Sequence, residues 1–374
     1  MRLLLLSTDK KILEENSAVR QRMLDYAGLV DHLDITVFNL ADKDKEIKDK
    51  IKIAQNAFVY PTNSKFKLNY YKDAINIAIE ELDEIDLVSA QDPYETGFIA
   101  YKISEKINTK LELQIHTDIF NPNFIRFSWG NRFRYFVAKF LLDKADSIRV
   151  VSKRIKLSLP EKYQSRITVL PIFIDPFFIS NQKVGFDLHK KYPRFKFIIV
   201  MISRLSREKN IGLALYALKD VLKILPKTGL VIVGDGPERK NLKRIARKTG
   251  VEENVIFKSW VENPVPYYKS ANLFLNTSFY EGYGMSLVEA TLSGCPVMTT
   301  KVGIVGEILS SNNAFLVEMN NRKNLAKNII NAQQHPELLE ACAKKAQQDY
   351  MNKSFHSRNE YLRGFKEMWE KTSL

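Results

Sequence analysis

Two glutamates in the segment 279–290 have the spacing and surroundings to bind a polyhydroxylated, phosphorylated ligand. Glu281 is predicted to lie in a glycine-containing loop, and Glu289 about one turn into a helix that begins near Met285. Glycines permit a tight turn and close approach of a ligand to the backbone, and free N–H groups at a helix start bind anions. The carboxylates would then accept hydrogen bonds from sugar and ribose hydroxyls while the N–H groups hold the phosphate. The alternative is that each glutamate only stabilises the helix start through its dipole.

A basic pair, Arg204 and Lys209, follows the predicted strand Phe197–Ile202. The Arg204 guanidinium can bind phosphate oxygens through two parallel hydrogen bonds, whereas Lys209 acts as a more flexible point charge. Two such cations suit a departing diphosphate, on which negative charge accumulates. The alternative is a solvated basic loop in which Glu208 neutralises part of the charge.

Three further candidates lie at predicted strand ends in the first half of the chain. His116 follows the apolar run 111–115, and Asp92 and Tyr94 follow the run 87–90. A lone histidine is more often structural than functional, so these residues alone leave both interpretations open.

Together these segments resemble the retaining glycosyltransferases of family 4, which have the GT-B fold. Their Glu-x7-Glu motif reads E-G-[F/Y]-G-x-x-x-x-E-A and is matched by residues 281–290, with Gly-Cys-Pro-Val following at 294–297. The resemblance implies a hexosyltransferase that moves a sugar, with retention of configuration, from a nucleoside-diphosphate sugar to a hydroxyl. UDP or GDP is the expected nucleotide, a glycan or lipid-linked compound the expected acceptor, and polysaccharide biosynthesis the expected setting. The alternative enzyme is another nucleotide-sugar enzyme on this fold, such as an epimerase.

The resemblance also implies roles for individual residues. The catalytic residues it implies are Arg204, Lys209, Glu281 and His116, the last contacting the sugar or orienting the reacting groups and not acting as a nucleophile. The donor-binding residues it implies are Ser203, Gly284, Met285, Ser286, Leu287, Glu289 and Val261. The acceptor-side residues are expected to be Ser17, Arg20, Asp92 and Tyr94.

One loop departs from the family pattern. Many members have a Gly-Gly turn after the first strand, but the corresponding residues 14–20 contain no glycine. Ser17 is expected to cap the following helix, and Arg20 to face the cleft.

Two segments near the basic pair complete the resemblance. Residues 233–238 read V-G-D-G-P-E, a strand–turn–helix junction without the G-K-[S/T] ending of a nucleotide-hydrolysing P-loop, and we expect it to be structural. Residues 257–261 correspond to the place where family members hold the nucleotide base, although Trp260 would fit a core position equally well.

The elements that must position these residues follow a repeated strand–helix order. Short apolar runs such as Phe197–Ile202 alternate with helix-periodic stretches such as 211–225, and the series restarts after about residue 179. Such alternation predicts an α/β protein with parallel sheets. With the resemblance, the expected fold is GT-B: two facing, doubly wound Rossmann-like domains with a ligand cleft between them.

The expected domains are an acceptor-binding domain at 1–181 and a nucleotide-sugar-binding domain at 182–354. The aromatic pattern in 355–374 predicts a final helix that packs back on the first domain. At 374 residues the chain is long enough for two cores. Its two cysteines exclude a disulfide framework, and no stretch approaches the ~20 apolar residues that span a bilayer, so we expect a cytoplasmic protein.

The net charge of +14 is concentrated in the second half of the chain. Residues 1–181 carry 27 Lys and Arg against 25 Asp and Glu, whereas residues 182–374 carry 30 against 18. A basic half predicts an anionic ligand, and nucleic acid is the main non-enzyme alternative. However, the basic residues of that half fall on helices such as 240–248 without interleaved aromatics, so we expect no nucleic-acid partner.

The segment 124–156 is also strongly basic, with nine Lys and Arg against two Asp. Its apolar residues repeat at helical spacing: Phe133, Phe136, Val137, Phe140 and Leu141. The ordinary interpretation is a helix that docks this face on the sheet. The alternative is a basic, aromatic surface resting on anionic lipid at the inner face of the membrane, which Phe124, Phe127 and Trp129 favour.

No metal or cofactor is expected. Asp42 and Asp44 have D-x-D spacing but belong to the charge run 42–52, which is typical of a solvated face. The five histidines show no H-x3-H spacing, and the basic pair supplies the neutralisation that Mg²⁺ would otherwise provide.

Overall fold

A computed structural model describes residues 1–41, 48–82 and 84–374 of the chain. The interpretation of Asp42 and Asp44 as solvated lies outside the described residues. The chain divides into two compact units, each described here by itself. Unit 1 contains Met1–Ile172 and Ser357–Leu374, and unit 2 contains Phe173–His356.

Unit 1 is built on an eight-stranded sheet in the order β3-β4-β2-β1-β5-β6-β7-β8. Its strands are β1 (Arg2–Ser7), β2 (His32–Val37), β3 (Ile51–Ala54), β4 (Ala57–Pro61), β5 (Leu87–Ala90), β6 (Lys110–Ile115), β7 (Ser147–Val150) and β8 (Ile167–Val169). Its helices are α1 (Ala18–Ala27), α2 (Tyr70–Asn76), α3 (Glu95–Ile107), α4 (Pro122–Phe127), α5 (Trp129–Lys144), α6 (Lys153–Ser158) and, at the other end of the chain, α15 (Arg358–Ser373).

Unit 2 is built on a six-stranded sheet in the order β11-β10-β9-β12-β13-β14. Its strands are β9 (Phe197–Ile202), β10 (Thr228–Val233), β11 (Val255–Lys258), β12 (Leu273–Asn276), β13 (Val297–Thr299) and β14 (Phe315–Leu316). Its helices are α7 (Pro176–Asn181), α8 (Leu188–Lys191), α9 (Ile211–Leu222), α10 (Arg239–Thr249), α11 (Val265–Ser270), α12 (Met285–Leu292), α13 (Arg322–Gln334) and α14 (Pro336–Lys353).

The strand order explains where each unit can bind a ligand. In unit 1 the chain runs from β1 to β2 on one side and returns to β5 on the other; in unit 2 it runs from β9 to β10 and returns to β12. The loops that leave β1 and β5, or β9 and β12, therefore diverge and leave a crevice at the carboxyl edge of the sheet. The central strands are buried along nearly their whole length, as expected for parallel sheets covered on both faces.

The α/β class and the parallel sheets predicted from the sequence are confirmed, with one exception. Strand β3 was not predicted, and it pairs antiparallel with β4 at the edge of the sheet of unit 1. Its residues Ile51-Lys-Ile-Ala54 begin inside the charge run 42–52, which hides a short edge strand from a search for apolar runs.

Helix α5 agrees only in part with the ordinary interpretation of its apolar repeat: Leu141 is buried, but the three aromatic members are exposed. The face packed on the protein contains Asn131, Ala138, Leu141 and Leu142, whereas Phe133 and Phe136 are 71% and 66% exposed. Helical periodicity identifies an apolar stripe here, and only the tertiary contacts decide which of its members are buried. Phe124, a residue expected on the lipid-facing surface, is buried.

The last helix, α15, contacts β5 and β6 of unit 1. Phe365 and Trp369 are fully buried, and the Trp369 indole N–H donates to Glu112 Oε2 at 2.8 Å. At the other junction, α7 packs against α12, so residues 173–181 belong to unit 2, although we expected the first domain to extend to residue 181.

Candidate active site

The basic pair and the glutamate motif meet at the crevice of unit 2. Lys209, after β9, and Glu281, after β12, form an ion pair with Nζ and Oε1 2.7 Å apart. The Ser278 hydroxyl donates to the same Oε1 at 2.8 Å. The Thr277 hydroxyl donates to the backbone carbonyls of Lys209 and Asn210, both at 3.0 Å, and ties the two loops together. A cation and a carboxylate are therefore fixed side by side at the carboxyl edge of the sheet.

The start of α12 lies in the same crevice and presents unused N–H groups. Gly284 precedes the helix with φ +83°, a conformation that L side chains rarely adopt. Among the described residues, the N–H groups of Met285 and Ser286 have no backbone acceptor. The Leu287 N–H, which we expected to bind the donor, instead donates to the Gly284 carbonyl at 2.9 Å, and its side chain is buried. The Leu287 N–H is therefore used within the first helical turn, and the preceding N–H groups remain for an anion.

Glu289 is held from the opposite side by a buried tyrosine. The Tyr268 hydroxyl on α11 donates to Glu289 Oε2 at 3.1 Å. Burial raises the pKa of Glu289, and the Tyr268 hydrogen bond opposes that shift by favouring the carboxylate. No donor in the described ranges bonds to the other carboxylate oxygen, Glu289 Oε1, which is therefore available to accept a ligand hydroxyl.

The V-G-D-G-P-E turn packs directly on the loop that carries the basic pair. A Cβ on Gly234 would lie 2.0 Å from the Ser203 carbonyl oxygen, and one on Gly236 would lie 2.4 Å from the Leu205 carbonyl oxygen. Asp235 of this turn accepts the Trp260 N–H at 2.8 Å through Oδ2. The glycines are therefore required by backbone packing, in agreement with the structural role that we expected.

The remaining donor-side residues of the sequence analysis are more exposed. Arg204 is exposed, and its side chain has no ion pair among the described residues. Val261 is half-buried, and Trp260 is 69% exposed, so the alternative that Trp260 is a core residue is wrong. Met285 is 37% exposed at the start of α12.

Four of the predicted residues line one small cavity of about 10 Å³ in unit 2: Ser203, Lys209, Glu281 and Ser286. Sequence reasoning missed three residues that hold this site, namely Tyr268, Thr277 and Ser278. Thr277 and Ser278 follow β12 directly, and their position at a strand end is the one signal in the sequence that pointed to them.

Unit 1 has its own, larger cavity of about 880 Å³ at the carboxyl ends of β1, β2, β5 and β6. His116, Asp92 and Tyr94 line it, as the sequence suggested. Ser17 and Arg20 do not: the Ser17 hydroxyl accepts the Arg20 N–H at 3.0 Å and caps α1. Arg22 lines the cavity in place of Arg20, because residues two apart on a helix point about 200° apart.

Several polar groups of this cavity are already engaged. Asp92 accepts the N–H groups of Tyr94 and Thr96 at 2.9 and 3.1 Å and so caps α3. Burial raises the pKa of Asp92 and raises the pKa of Tyr94 to about 12. Burial and the charges of Arg149 and Arg22 lower the pKa of His116 to about 3, so its imidazole is neutral at ordinary pH.

Within residues 1–41, 48–82 and 84–374, no three His, Cys, Asp or Glu side chains are grouped as a metal site requires. No helix in the same ranges is both long enough and apolar enough to cross a bilayer.

The fold and the two crevices define an α/β protein with two Rossmann-like units, and unit 2 offers a cation, carboxylates and helix-start N–H groups for an anionic ligand. Residues 187–349 match the family described as glycosyl transferases group 1. The match includes every donor-side residue discussed above and none of unit 1.

Two curated relatives are similar over part of the chain. The poly(glycerol-phosphate) α-glucosyltransferase of Bacillus subtilis is 34% identical over 140 residues, which is 37% of this chain and 21% of that protein. The α-monoglucosyldiacylglycerol synthase of Streptococcus pneumoniae is 26% identical over 284 residues, which is 71% of this chain and 63% of that protein. The chain thus spans between about a fifth and just under two thirds of these relatives.

The crystal structure of Anabaena Alr3699/HepE in complex with UDP and glucose superimposes with a TM-score of 0.74 at 20% identity, covering 99% of this chain and 100% of that one. Structural neighbours of this kind are GT-B glycosyltransferases, and the GT-B fold expected from the sequence is confirmed. The match of residues 187–349 is thus to a glycosyltransferase family, and the likeness to solved structures adds the fold.

Proposed function

We propose that the chain is a retaining glycosyltransferase that transfers a sugar from a UDP- or GDP-sugar to a hydroxyl of a glycan or lipid-linked acceptor. The observation that carries this proposal is the meeting of Lys209 and Glu281 beside the unused N–H groups at the start of α12. A cation, a carboxylate and N–H donors in one crevice complement the diphosphate and the hydroxyls of a nucleotide sugar. The names of the two relatives, both forming α-linked glucosides, support the same reaction class.

On the donor side, Arg204 and Lys209 bind the diphosphate together with the N–H groups of Gly284, Met285 and Ser286. Glu289 accepts ribose hydroxyls through the oxygen that Tyr268 leaves unused. Glu281 accepts hydroxyls of the sugar once Lys209 turns toward the diphosphate. Ser203 and Val261 complete the donor-side contacts.

The reaction breaks the bond between the anomeric carbon and the β-phosphate oxygen, and the acceptor oxygen attacks from the same face. The acceptor proton passes to the leaving phosphate oxygen, and a short-lived oxocarbenium ion separates the two events. No carboxylate pair for a double displacement is needed, unlike in retaining glycosidases. Lys209 and Arg204 stabilise the charge that develops on the diphosphate, which removes the need for a metal ion.

Unit 1 holds the acceptor in this proposal, with Asp92, Tyr94 and His116 on the wall of its cavity. Because the pKa of His116 is lowered to about 3, this residue acts as a neutral hydrogen-bonding group that orients the sugar or acceptor hydroxyl. Ser17 supports this region by capping α1.

The donor is tested by thermal shift with UDP-, GDP-, ADP- and dTDP-sugars. A ligand at 100 times its dissociation constant stabilises the folded state by about 2.7 kcal/mol, which is readily measured. Only the nucleotide sugars of one base are expected to raise the melting temperature, and Glu289→Gln should reduce that rise. The absence of a shift with every nucleotide sugar would contradict the proposal.

The reaction itself is tested with the stabilising donor, an acceptor mixture and NMR of the product. Retention predicts a product with the anomeric configuration of the donor. Conversion of the sugar without any acceptor would instead indicate an epimerase. Full activity after treatment with a chelator is expected, since no step uses a metal.

We also propose that the exposed stripe of α5 rests on anionic lipid at the inner face of the membrane. Trp129, Phe133, Phe136 and Phe140 are 47–83% exposed and follow one side of the helix. Exposed basic residues flank them, and the Arg132 guanidinium lies 4.8 Å from the Trp129 ring centroid. Aromatic side chains beside cations are typical of helices that lie in the membrane interface.

This contact is tested by cosedimentation with vesicles of phosphatidylglycerol at low salt. The Trp129→Ser, Phe133→Ser double variant should lose most of its binding, whereas Leu338→Ser, an exposed apolar residue of unit 2, should retain it. Equal binding by both variants would refute the contact.

A further inference from the structure

The cavity of unit 1 has an excess of positive charge. Five cations line it: Lys10, Arg22, Lys67, Arg134 and Arg149. Three carboxylates face them: Asp9, Asp92 and Glu95. A cavity of about 880 Å³ at the carboxyl edge of a doubly wound sheet is large enough for a small organic ligand.

Each carboxylate of the cavity accepts at least one hydrogen bond or forms an ion pair with another group. Glu95 forms an ion pair with Arg134. Asp92 caps α3 through both of its oxygens, and Asp9 accepts the Lys11 N–H at 3.1 Å. Within the part of the chain that the structure describes, Lys10, Arg22, Lys67 and Arg149 form no ion pair. Four cations therefore remain without an acidic partner.

Arg149 is the most unusual of these, since it is only 2% exposed. Its Nη1 donates to the Gln114 side chain at 2.7 Å, and its Nε donates to the Leu170 carbonyl at 3.1 Å. Its Nη2 donates to the Pro171 carbonyl at 3.3 Å and to the Tyr361 hydroxyl at 3.5 Å. The guanidinium carbon also lies 4.5 Å from the Phe365 ring centroid. All of these acceptors are uncharged, and the second N–H of Nη1 has no acceptor among the described residues. A buried guanidinium is costly unless an anion compensates it.

Acidic groups elsewhere in the core do not neutralise the Arg149 guanidinium. Glu112 is buried on β6 and accepts the Trp369 indole N–H. Burial raises its pKa, and Arg149 offsets that shift only in part. On the cavity side, the charges of Arg149 and Arg22 both lower the pKa of His116. Arg22, Arg149 and the neutral His116 imidazole therefore line the same cavity.

We propose that this cavity binds the phosphate group of the acceptor, with Arg22 and Arg149 as its ligands, so that the acceptor is a phosphorylated hydroxyl compound. The inference rests on the proposed function and names its acceptor class. Arginine suits this role because its planar N–H groups match phosphate oxygens in pairs. Lys10 and Lys67 add charge at the rim, and Tyr94 offers an aromatic wall to the uncharged part of the ligand.

Binding is tested first with inorganic phosphate, followed by NMR titration of the His116 imidazole. Phosphate should raise the pKa of His116, because an anion offsets the two cations beside it. Arg22→Gln should weaken phosphate binding at least about tenfold, the loss expected for one charged hydrogen bond. Arg363→Gln, an exposed arginine on α15 of the same unit, is the matched control and should leave it unchanged. An unshifted His116, or equal effects of the two variants, would overturn the proposal.

Acceptor preference is tested next in three arms: glycerol, glycerol phosphate in solution, and phosphatidylglycerol in vesicles. A phosphorylated arm should show a KM at least about tenfold lower than glycerol, and Arg22→Gln should abolish that advantage without changing the KM of the donor. The arm that benefits identifies the source, a free phosphate ester or a lipid headgroup. Equal KM values in all three arms would overturn the inference.

Failure of this inference can be distinguished from failure of the proposed function. Donor binding by thermal shift and slow hydrolysis of the donor without acceptor depend on unit 2. If both are present but phosphate gives no advantage, only the phosphate subsite is wrong. If both are absent, the proposed function is wrong, and the His116 titration still decides whether the cavity binds phosphate.

Discussion

Replacing Lys209 with alanine is the most direct perturbation of the proposed mechanism. Its Nζ lies 2.7 Å from Glu281 Oε1, and the two side chains are 19% and 12% exposed. The change removes the cation but leaves the Ser278 hydrogen bond to the same carboxylate oxygen. The local fold should survive because Thr277 holds the loop through backbone carbonyls and not through the lysine side chain.

The cost to stability follows from the partial burial of the pair. Exposed ion pairs contribute roughly 0–1 kcal/mol, whereas breaking a buried pair costs about 3–5 kcal/mol. For side chains exposed to this degree, Lys209→Ala should lower the free energy of unfolding by about 1–2 kcal/mol, an interpolation between those limits. The protein should therefore fold and bind donor.

The cost to catalysis should be larger and of a different kind. Removing one preorganised group that stabilises developing charge lowers kcat by about 10²–10³-fold. Binding of the ground-state diphosphate retains Arg204 and the N–H groups at the start of α12. We therefore expect the dissociation constant of the donor to rise by less than about tenfold.

The assay compares kcat at saturating donor with the dissociation constant of the donor measured by calorimetry. Lys248→Ala, on the exposed side of α10 in the same unit, is the control and should change neither quantity. Lys209→Arg keeps the charge and should recover part of the loss. An unchanged kcat would refute the role of Lys209, and equal losses in kcat and in donor affinity would also argue against selective stabilisation of the transition state.

Three further predictions address the groups around the two crevices. Tyr268→Phe removes the hydroxyl that orients Glu289. Because one hydrogen bond to a charged group is lost, the KM of the donor should rise by about tenfold with little change in kcat. An unchanged KM would show that Tyr268 has no part in donor binding. Gly234→Ala should destabilise unit 2 by more than about 2 kcal/mol, because the new Cβ would lie 2.0 Å from the Ser203 carbonyl oxygen. Urea unfolding measures this loss directly. A urea midpoint equal to that of the wild-type protein would show that the turn can shift freely. For His116, the lowered pKa of about 3 means that the unfolded chain binds an additional proton between about pH 6.5 and pH 3. Stability should therefore fall as the pH decreases through that window, and the fall should be smaller in His116→Asn; identical pH profiles would refute the assignment.

Local sequence patterns were sufficient to predict most of the fold. The apolar runs became buried parallel strands, and Met285 begins α12 as predicted. These features depend on residues within one or two turns of each other, where periodicity, glycine and helix-start preferences act directly. The same local rules missed β3, because a four-residue edge strand beside a charged run has almost no periodic signal.

The outward aromatic stripe of α5 and the capping role of Asp92 were beyond such rules. An apolar repeat does not say which of its members face the protein, and a carboxylate at a strand end is equally suited to a ligand or to a helix start. In both cases the choice depends on what packs alongside, which the sequence does not state locally.

By itself, the sequence determined which chemical groups this protein has and at which strand ends they lie. The tertiary structure decided which of them meet. Lys209 and Glu281 are 72 residues apart and are brought together only because the sheet order places β9 next to β12. Arg22, and not Arg20, lines the cavity of unit 1 because of the orientation of α1 against the sheet. Contacts between distant residues depend on strand order and helix orientation, and those are properties of the packed chain as a whole.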